Sequence, residues 1–241
     1  PDILIAGCGT GQHSIESATR FASSKVLAID LSISSLAYAK RKTEELGIQN
    51  IEYLQADILD LSQLNKQFDI IESAGVLHHL DNPMVGWKVL TGCLRPGGLM
   101  KIGLYSELAR QNITEIRKEI DQLGIGSSSQ EIRAFRDIII KSKKKHYKQV
   151  LGAPDFYSSS EFRDFLFHTI EYKFNLSEIK EHLDTLNLRF CGFEENEIVS
   201  HFMLTNIEKE DPYDLDKWQV YEQANPRAFA DMYQFWCQKI R

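Results

Sequence analysis

The chain has 241 residues, of which 43% are hydrophobic and 26% are charged. This balance is ordinary for a folded protein of that length, so extensive disorder is excluded. The formal net charge of −6 argues against a protein built mainly around nucleic-acid phosphates. No apolar run reaches the ~18 residues that read as a membrane span.

The first hundred residues alternate short apolar runs with amphipathic stretches. Runs that are apolar throughout predict five strands covered on both faces, at residues 2–6, 25–29, 51–55, 68–73 and 99–105. Helical patterns lie between them, and the third begins with Pro83, at a position where a helix tolerates proline. This alternation predicts an α/β fold with a doubly wound, mostly parallel sheet of the Rossmann-like kind.

After the fifth strand the pattern becomes mainly helical. We predict a core domain, a helical insertion, a return to the core with one helix and a sixth strand, and a helical C-terminal extension: residues 1–106, 107–175, 176–194 and 195–241. The chain begins at Pro1 directly on a strand-like run, which is typical of an excised domain, and no signal-peptide pattern precedes this run.

The four cysteines lie far apart and form no pair with metal-ligand spacing: Cys8, Cys93, Cys191 and Cys237. This distribution predicts neither a metal site nor a disulfide framework, and it favours a cytoplasmic protein.

A glycine-rich loop follows the first strand, with Gly7, Gly9 and Gly11 at alternate positions. Glycine permits a sharp turn and lets the backbone approach a ligand closely. A nicotinamide-type fingerprint requires a third glycine where Gln12 stands. The loop therefore favours a ligand that needs no pyrophosphate at the following helix.

Carboxylates follow the next two strands. Asp30 ends the second strand, where an acidic residue accepts hydrogen bonds from both ribose hydroxyls of an adenosine. Asp57 follows the third strand and can accept the adenine amino group, while the backbone N–H of Ile58 meets a ring nitrogen. Because open α/β sheets bind ligands at the carboxyl ends of their strands, these groups predict one adenosine site.

These motifs, in this order and spacing, resemble those of the class I S-adenosylmethionine-dependent methyltransferases. The resemblance rests on DILIAGCGTGQ, LAIDLS, LQADILDL, FDIIESAGVLHHL and LRPGGLMKIGLYS, and it continues weakly at residues 188–193. It implies S-adenosyl-L-methionine as cofactor, with S-adenosyl-L-homocysteine as product. It implies cofactor contacts at Gly7, Cys8, Gly9, Gly11, Gln12, Asp30, Leu31, Asp57, Ile58, Ser73 and Ala74.

Two further expectations come from this resemblance. Members of the family have a seventh, antiparallel strand, whereas residues 197–204 look helical here, so a seventh strand is left open. The segments LYSELAR, RDFLFH and MYQFW are similar to the branch attached to tetratricopeptide repeats. That similarity implies a repeat domain before Pro1.

Three side chains near the ends of the fourth and fifth strands are catalytic candidates. His78 and His79 follow the fourth strand, where an imidazole can act as a general base beside the transferred methyl group. Tyr105 ends the fifth strand, where a phenol can position the nucleophile or face the sulfonium. Packing explains all three side chains as well, so both interpretations stay open.

The insertion contributes two candidate substrate residues, Arg163 and His168, besides Tyr105. Asp164 and His168 are four residues apart on a predicted helix, so their side chains can form a hydrogen bond. Such a pair either orients a substrate or lies on the surface.

The sequence thus predicts an enzyme that transfers a methyl group to an unidentified nucleophile. A small-molecule or protein acceptor is favoured over nucleic acid because of the acidic charge. One alternative is a non-catalytic scaffold that binds the cofactor in a pocket plugged by the insertion and the C-terminal helices. The other is an NAD(P)-dependent oxidoreductase, which Gln12 and Asp57 disfavour. Oligomeric state has no signal in the sequence.

Overall fold

Within residues 1–167, 171–206, 208 and 210–240, which the computed structural model describes, seven strands form one sheet. The strands are β1 (Asp2–Ala6), β2 (Lys25–Asp30), β3 (Ile51–Gln55), β4 (Phe68–Ala74), β5 (Leu94–Leu104), β6 (Leu188–Phe193) and β7 (Tyr233–Lys239). Their order across the sheet is β3-β2-β1-β4-β5-β7-β6. The first five strands pair in parallel, whereas β7 is antiparallel to β5 and β6. The predicted α/β class is confirmed.

Helices cover both faces of the sheet and form the insertion. They are α1 (Gln12–Arg20), α2 (Ile33–Glu45), α3 (Pro83–Cys93), α4 (Gln111–Gln122), α5 (Ser129–Lys141), α6 (Lys145–Val150), α7 (Ser159–Phe167), α8 (Leu176–Thr185), α9 (Asn196–Met203) and α10 (Leu215–Ala224). None of these helices has the length and hydropathy that a bilayer crossing requires.

The sequence of β1 is apolar without alternation because both faces of this strand are buried. Ile3 and Ile5 pack into the apolar cluster on the side of α1 and α2. Leu4 and Ala6 pack into a larger cluster on the other side, with α3, α8 and α10. Since successive side chains of a strand point to opposite faces, both faces of this strand must be apolar.

The C-terminal extension differs from its prediction in its last part. Residues 196–203 and 215–224 are helical as expected, but Tyr233–Lys239 is a strand inserted between β5 and β6. Its sequence alternates: Tyr233, Phe235 and Cys237 are fully buried, while Gln234 and Trp236 are partly exposed. This period of two is typical of a strand. The high content of aromatic residues makes the period hard to recognise in the sequence. A seventh, antiparallel strand, which the sequence left open, is therefore present.

The helices of the insertion pack around an apolar core of their own. This core consists mainly of isoleucine and phenylalanine from α4, α5 and α7, including Ile116, Ile120, Phe135, Ile139 and Phe162. Ser128 starts α5 with a capping box, in which its hydroxyl accepts from Glu131 N and the Glu131 carboxylate accepts from Ser128 N. The boundaries predicted at residues 106, 175 and 194 stay predictions.

Candidate cofactor and acceptor site

The glycine loop joins β1 to α1 in a conformation that only glycine adopts readily. Gly7, Gly9 and Gly11 have φ angles of 83°, 51° and 93°. A Cβ atom on Gly7 would overlap the side chain of Val76, and one on Gly11 would lie 2.6 Å from the Cβ of Ala39. A Cβ on Gly9 would meet nothing within 4 Å. The middle of the loop therefore leaves room for a ligand to approach the backbone.

Asp30, at the end of β2, is bonded to this loop. Its Oδ2 accepts from Gly9 N at 2.8 Å and its Oδ1 accepts from Ser32 N at 2.9 Å. A carboxylate oxygen has more than one acceptor site, so both oxygens retain capacity for ligand hydroxyls. The next side chain, Leu31, is 63% exposed although it is apolar.

Asp57 follows β3 and caps the 3-10 helix Ile58–Leu64. Its Oδ1 accepts from Leu59 N at 2.9 Å, and no described residue donates to its other oxygen. Ile58 is buried in the core, whereas the side chain of Leu59 is partly exposed at the same edge. One carboxylate oxygen of Asp57 is therefore fixed in place and the other is able to accept from a ligand.

Ser73 lies near the end of β4, next to β1 in the sheet. The residue is 1% exposed, and its hydroxyl has no hydrogen-bond partner among the described residues. Leaving a buried polar group unpaired costs roughly 1–3 kcal/mol. A polar ligand at this strand end removes that cost. Ala74, the next residue, is half-buried and completes the strand.

The phenol of Tyr105 is held between two planar groups just beyond β5. Its ring stacks on the imidazole of His78 at 3.8 Å between centroids, and the guanidinium of Arg110 lies 3.6 Å from the ring centroid. His78 is fully buried, while His79 is half-buried and lies edge-on to Tyr105. Burial raises the pKa of the Tyr105 phenol, and the positive charge of Arg110 opposes this rise.

A buried ionic cluster fixes Arg110 in that position. Arg110 donates through Nε and Nη2 to the two carboxylate oxygens of Glu171, at 3.2 and 3.1 Å. Arg117 donates to the same carboxylate at 2.7 Å and to the carbonyl of Phe165 at 3.0 Å. The Glu171 side chain is only 1% exposed. Burial lowers the pKa of Arg117, which the nearby Glu171 carboxylate opposes.

Residues 171–174 also fasten the backbone around Tyr105. Tyr172 N donates to the carbonyl of His78 at 2.7 Å, and Phe174 N donates to the carbonyl of Tyr105 at 2.9 Å. The end of the insertion thus joins the loop after β4 to the loop after β5. The position of Tyr105 is set by both the sheet and the insertion.

A second buried carboxylate joins the C-terminal elements to the end of β5. Glu222 on α10 accepts from Ser106 Oγ at 2.6 Å and from the Tyr233 hydroxyl at 2.7 Å. Ser106 Oγ in turn accepts from Ala109 N at 3.0 Å. Burial raises the pKa of Glu222, although its hydroxyl donors oppose this rise.

The remaining predicted residues either lie away from this site or fall outside the residues that the structure describes. Arg163 is exposed and donates to the carbonyl of Ser127 at 2.9 Å, so it connects two parts of the insertion. His168 and the side chain of Asp164 lie outside the described residues. The thiol of Cys8 packs into the core beneath the loop and donates to the Gly9 carbonyl at 3.8 Å, and burial raises its pKa to about 11. The Gln12 side chain donates to Glu16 at 3.1 Å.

The cysteines and one cluster on α4 and α6 bear on the prediction that the chain has no metal site. All four cysteines are free thiols. Glu115, Glu119 and His146 bring ligand atoms within 4.8 Å of one another. The ammonium of Lys144 lies 2.7 Å from the Glu119 carboxylate and already supplies a positive charge there.

Comparison with known families shows what the core is similar to. A family model described as a methyltransferase domain matches residues 3–98, which include the glycine loop, Asp30, Asp57 and Ser73. This stretch is therefore similar to a methyltransferase domain, in agreement with the resemblance of the sequence motifs. S-adenosylmethionine is the cofactor that this similarity indicates.

The chain matches curated relatives that are longer than itself. A Synechococcus sp. protein, "Uncharacterized protein syc1184_c", is 29% identical over 237 residues, covering 92% of this chain and 56% of that protein. The mitochondrial ubiquinone biosynthesis O-methyltransferase of Dictyostelium discoideum is 27% identical over 124 residues, covering 48% of this chain and 38% of that enzyme. The chain therefore corresponds to part of each relative.

A solved structure extends the likeness beyond the methyltransferase domain. PKMT2 from Rickettsia typhi, determined in complex with AdoHcy, superposes with a TM-score of 0.73 at 18% sequence identity. The superposition covers 98% of this chain and 48% of that chain. At this identity the likeness shows a shared fold, which extends over almost the whole chain.

The sheet also bears on the nicotinamide alternative. The dinucleotide-binding fold has six parallel strands in the order 3-2-1-4-5-6. The sheet of this chain has the antiparallel β7 between β5 and β6 instead. Together with Gln12 in place of a third glycine, this topology counts against an NAD(P)-dependent oxidoreductase.

Sequence reasoning missed the buried groups that hold Tyr105. Arg110 stands in the LYSELAR segment, but its partner Glu171 is 61 residues away and has no local signal. Glu222 and Tyr233 lie in residues 195–241, for which the sequence predicts a helical extension. The alternation of buried residues in β7 was the one available signal for that group.

Proposed function

We propose that the methyltransferase domain binds S-adenosylmethionine at the edge formed by β1, β2, β3 and β4 and transfers its methyl group to a nucleophilic acceptor. The observation that supports this proposal is the convergence of the glycine loop, Asp30 and Asp57 at one sheet edge, within the residues that the methyltransferase family matches. We expect a small molecule or a protein side chain as acceptor rather than nucleic acid, because the chain is acidic.

The adenosine half of the cofactor fits the groups at β2 and β3. Asp30 would hold the ribose hydroxyls with acceptor capacity beyond its bonds to the backbone. Asp57 would accept the adenine amino group with the oxygen that Leu59 does not occupy. The exposed apolar side chain of Leu31 and the backbone N–H of Ile58 complete this half of the site.

The methionyl half fits the groups at β1 and β4. The open space over Gly9 lets a ligand lie on the loop, and Gly7, Cys8, Gly11 and Gln12 would contribute mainly backbone to it. The unpartnered hydroxyl of Ser73, beside Ala74, is a suitable partner for the polar end of the amino acid.

Methyl transfer then requires the side chains mainly to position the cofactor and the acceptor. The bound cofactor supplies a methyl group made electrophilic by the positive sulfur. Holding an acceptor in line at roughly 3–3.5 Å from that carbon accounts for much of the acceleration. In this proposal His78 supports Tyr105 by stacking, because it is fully buried, and Tyr105 lines the acceptor side. The half-buried His79 remains the better placed of the two histidines for proton transfer.

Calorimetric titration tests the cofactor assignment. The wild-type chain is titrated with S-adenosylmethionine, S-adenosylhomocysteine and NADPH in parallel. We expect the first two to bind with micromolar affinity, about −8 kcal/mol, and NADPH not to bind. Binding of NADPH alone, or of none of the three to a folded sample, contradicts the proposal. Binding of the cofactor without transfer to any acceptor favours the scaffold alternative instead.

A further inference from the structure

A small recess on the surface of the insertion lies between the first two turns of α5 and the first turn of α7, and we call it the α5–α7 recess. Three arginines line it: Arg133 and Arg136 from α5, and Arg163 from α7. Two hydroxyl groups, those of Ser129 and Ser159, lie in the same lining. None of the described residues that line the recess is acidic. Its charge is therefore of one sign.

The three guanidinium groups have no carboxylate as counter-ion within the part of the chain that the structure describes. The ion pairs that the structure shows in the insertion involve other cations. Glu131, two residues before Arg133, is engaged in the capping box of α5 and accepts from the backbone N–H of Gly126 as well. Like charges that line one recess repel each other, so an anion bound between them is stabilised by all three.

Neutral groups hold two of these guanidiniums in place. Arg163 donates to the carbonyl of Ser127 at 2.9 Å and to the hydroxyl of Ser129 at 3.4 Å. The guanidinium of Arg136 lies 5.8 Å from the ring centroid of Phe162, which is fully buried in the core of the insertion. A carbonyl and an aromatic face orient a guanidinium without neutralising its charge. The recess is therefore preorganised for an anion.

The size of the recess suits an anion of a few atoms. Its volume is about 50 Å³. Since one water needs roughly 10–15 Å³ in a cavity, the recess holds about four groups of that size. A phosphate group has this size, carries about −1.5 to −2 charges at pH 7 and offers three strong acceptor oxygens. The hydroxyls of Ser129 and Ser159 are further donors for such oxygens.

The surroundings of the recess are positive as well. Residues 133–148 hold seven lysine and arginine side chains but one carboxylate, that of Asp137, in a chain whose net charge is −6. Lys144 is paired with Glu119, and the other lysines of this stretch are exposed. A surface of one sign raises the local concentration of counter-ions, so this part of the insertion attracts anions toward the recess.

We propose that the α5–α7 recess binds the phosphate group of a small phosphate monoester. The three guanidinium groups donate to the phosphate oxygens, a pairing that the planar fork of arginine makes bidentate. Because the recess is small and open at the surface, the rest of the ligand lies outside it. This inference goes beyond the proposed methyl transfer and does not depend on it.

Titration of the chain with methyl phosphate, followed by phosphorus NMR at fixed ionic strength in a phosphate-free buffer, tests the proposal. We expect saturable binding, with inorganic phosphate as an effective competitor and acetate about tenfold weaker, since a carboxylate offers less charge and fewer acceptors. Absence of saturable binding, or acetate that competes as well as inorganic phosphate, overturns the proposal. Binding of inorganic phosphate without methyl phosphate also overturns it, because it indicates a site for the free ion.

Variants then locate the bound phosphate. Arg133→Gln, at an exposed position, is expected to weaken methyl phosphate binding about tenfold, as loss of a charge-assisted contact does. Lys141→Gln removes the same charge from α5 about 12 Å further along the helix and should change the affinity less than about twofold. Equal losses in the two variants overturn the proposal, because they indicate diffuse attraction only. Affinity for S-adenosylhomocysteine is measured separately, and its absence in the wild type contradicts only the proposed function.

Discussion

The core and the insertion of this chain carry their polar groups in different ways. In the core, Asp30 and Asp57 stand at strand ends, partly exposed, and bond to backbone N–H groups close to them in space. In the insertion, the decisive charges are buried and pair over long distances in the sequence, as Arg110 and Glu171 do. The core site follows from topology, because parallel strands end at one edge. The insertion site depends on packing between distant segments.

These two arrangements suit different kinds of ligand. A ligand that is common to many enzymes can be held by groups that the fold itself places, whereas we propose that the insertion contributes to binding the acceptor. In this chain the two regions meet at Tyr105, which ends the sheet and is fixed by Arg110 and the backbone of Tyr172 and Phe174. Changes in the two regions should therefore affect different measurable quantities.

The largest effect is expected where the insertion is held to the sheet. Glu171→Ala removes the carboxylate that both Arg110 and Arg117 contact in the interior, and it should lower the free energy of unfolding by about 3–5 kcal/mol. Urea unfolding followed by circular dichroism measures this loss. Asp137→Ala, an exposed carboxylate of the same insertion, is the control and should change stability little. Equal stability of the two variants would contradict a structural role for the buried cluster.

The next largest effect is expected in the core, on binding. Asp30→Ala removes charge-assisted acceptors for the ribose and also the bond to Gly9 N, so cofactor affinity should fall roughly 100-fold. Titration with S-adenosylhomocysteine measures the affinity, with Asp121→Asn on α4 as the control. Unchanged affinity in Asp30→Ala would contradict the proposed contact between Asp30 and the ribose.

A pH-dependent effect is expected where α10 and β7 meet the end of β5. Burial raises the pKa of Glu222 in the folded state, so folding favours its protonated form. Its contribution to stability is then fully present below the pKa of the unfolded chain and is lost as pH rises through the raised value. The stability of the wild type relative to Glu222→Gln should therefore fall over this window.

Urea unfolding of both proteins at several pH values above 4 measures this difference. The exposed Glu52→Gln serves as control, and its stability relative to the wild type should vary little with pH. A wild-type advantage that grows with pH would mean that the hydroxyl donors outweigh burial at Glu222.

The smallest effect is expected at the N-terminal cap of α5. Its measurement also tests whether the core and the insertion unfold together. Ser128→Ala removes the capping box of α5 and should lower stability by about 1 kcal/mol. Cofactor affinity should not change, because the buried residues of α5 pack in the core of the insertion and not on the sheet. A single unfolding transition that shifts as a whole indicates one cooperative unit. Two transitions, of which only one shifts, would show that the insertion unfolds separately.

Much of the core could be predicted because its signals are local. The glycines of the loop, Asp30 and Asp57 each follow an apolar run, and a parallel sheet brings the ends of such runs together. The strand β7 is harder to predict, because Tyr233, Phe235 and Trp236 make its short sequence apolar on both faces and weaken the alternation. Arg110, Glu171 and Glu222 could not be found, since burial and pairing across 61 or 116 residues leave no periodic pattern.

Hydrogen–deuterium exchange with and without saturating S-adenosylhomocysteine tests the central claim most directly, namely that the core holds the cofactor. We expect the ligand to slow exchange at residues 7–11, 30–32, 57–59 and 73–75, with little change in α5 and α6. Protection confined to the insertion, or absent from the glycine loop while the ligand is bound, would contradict the assignment of the cofactor to these strand ends.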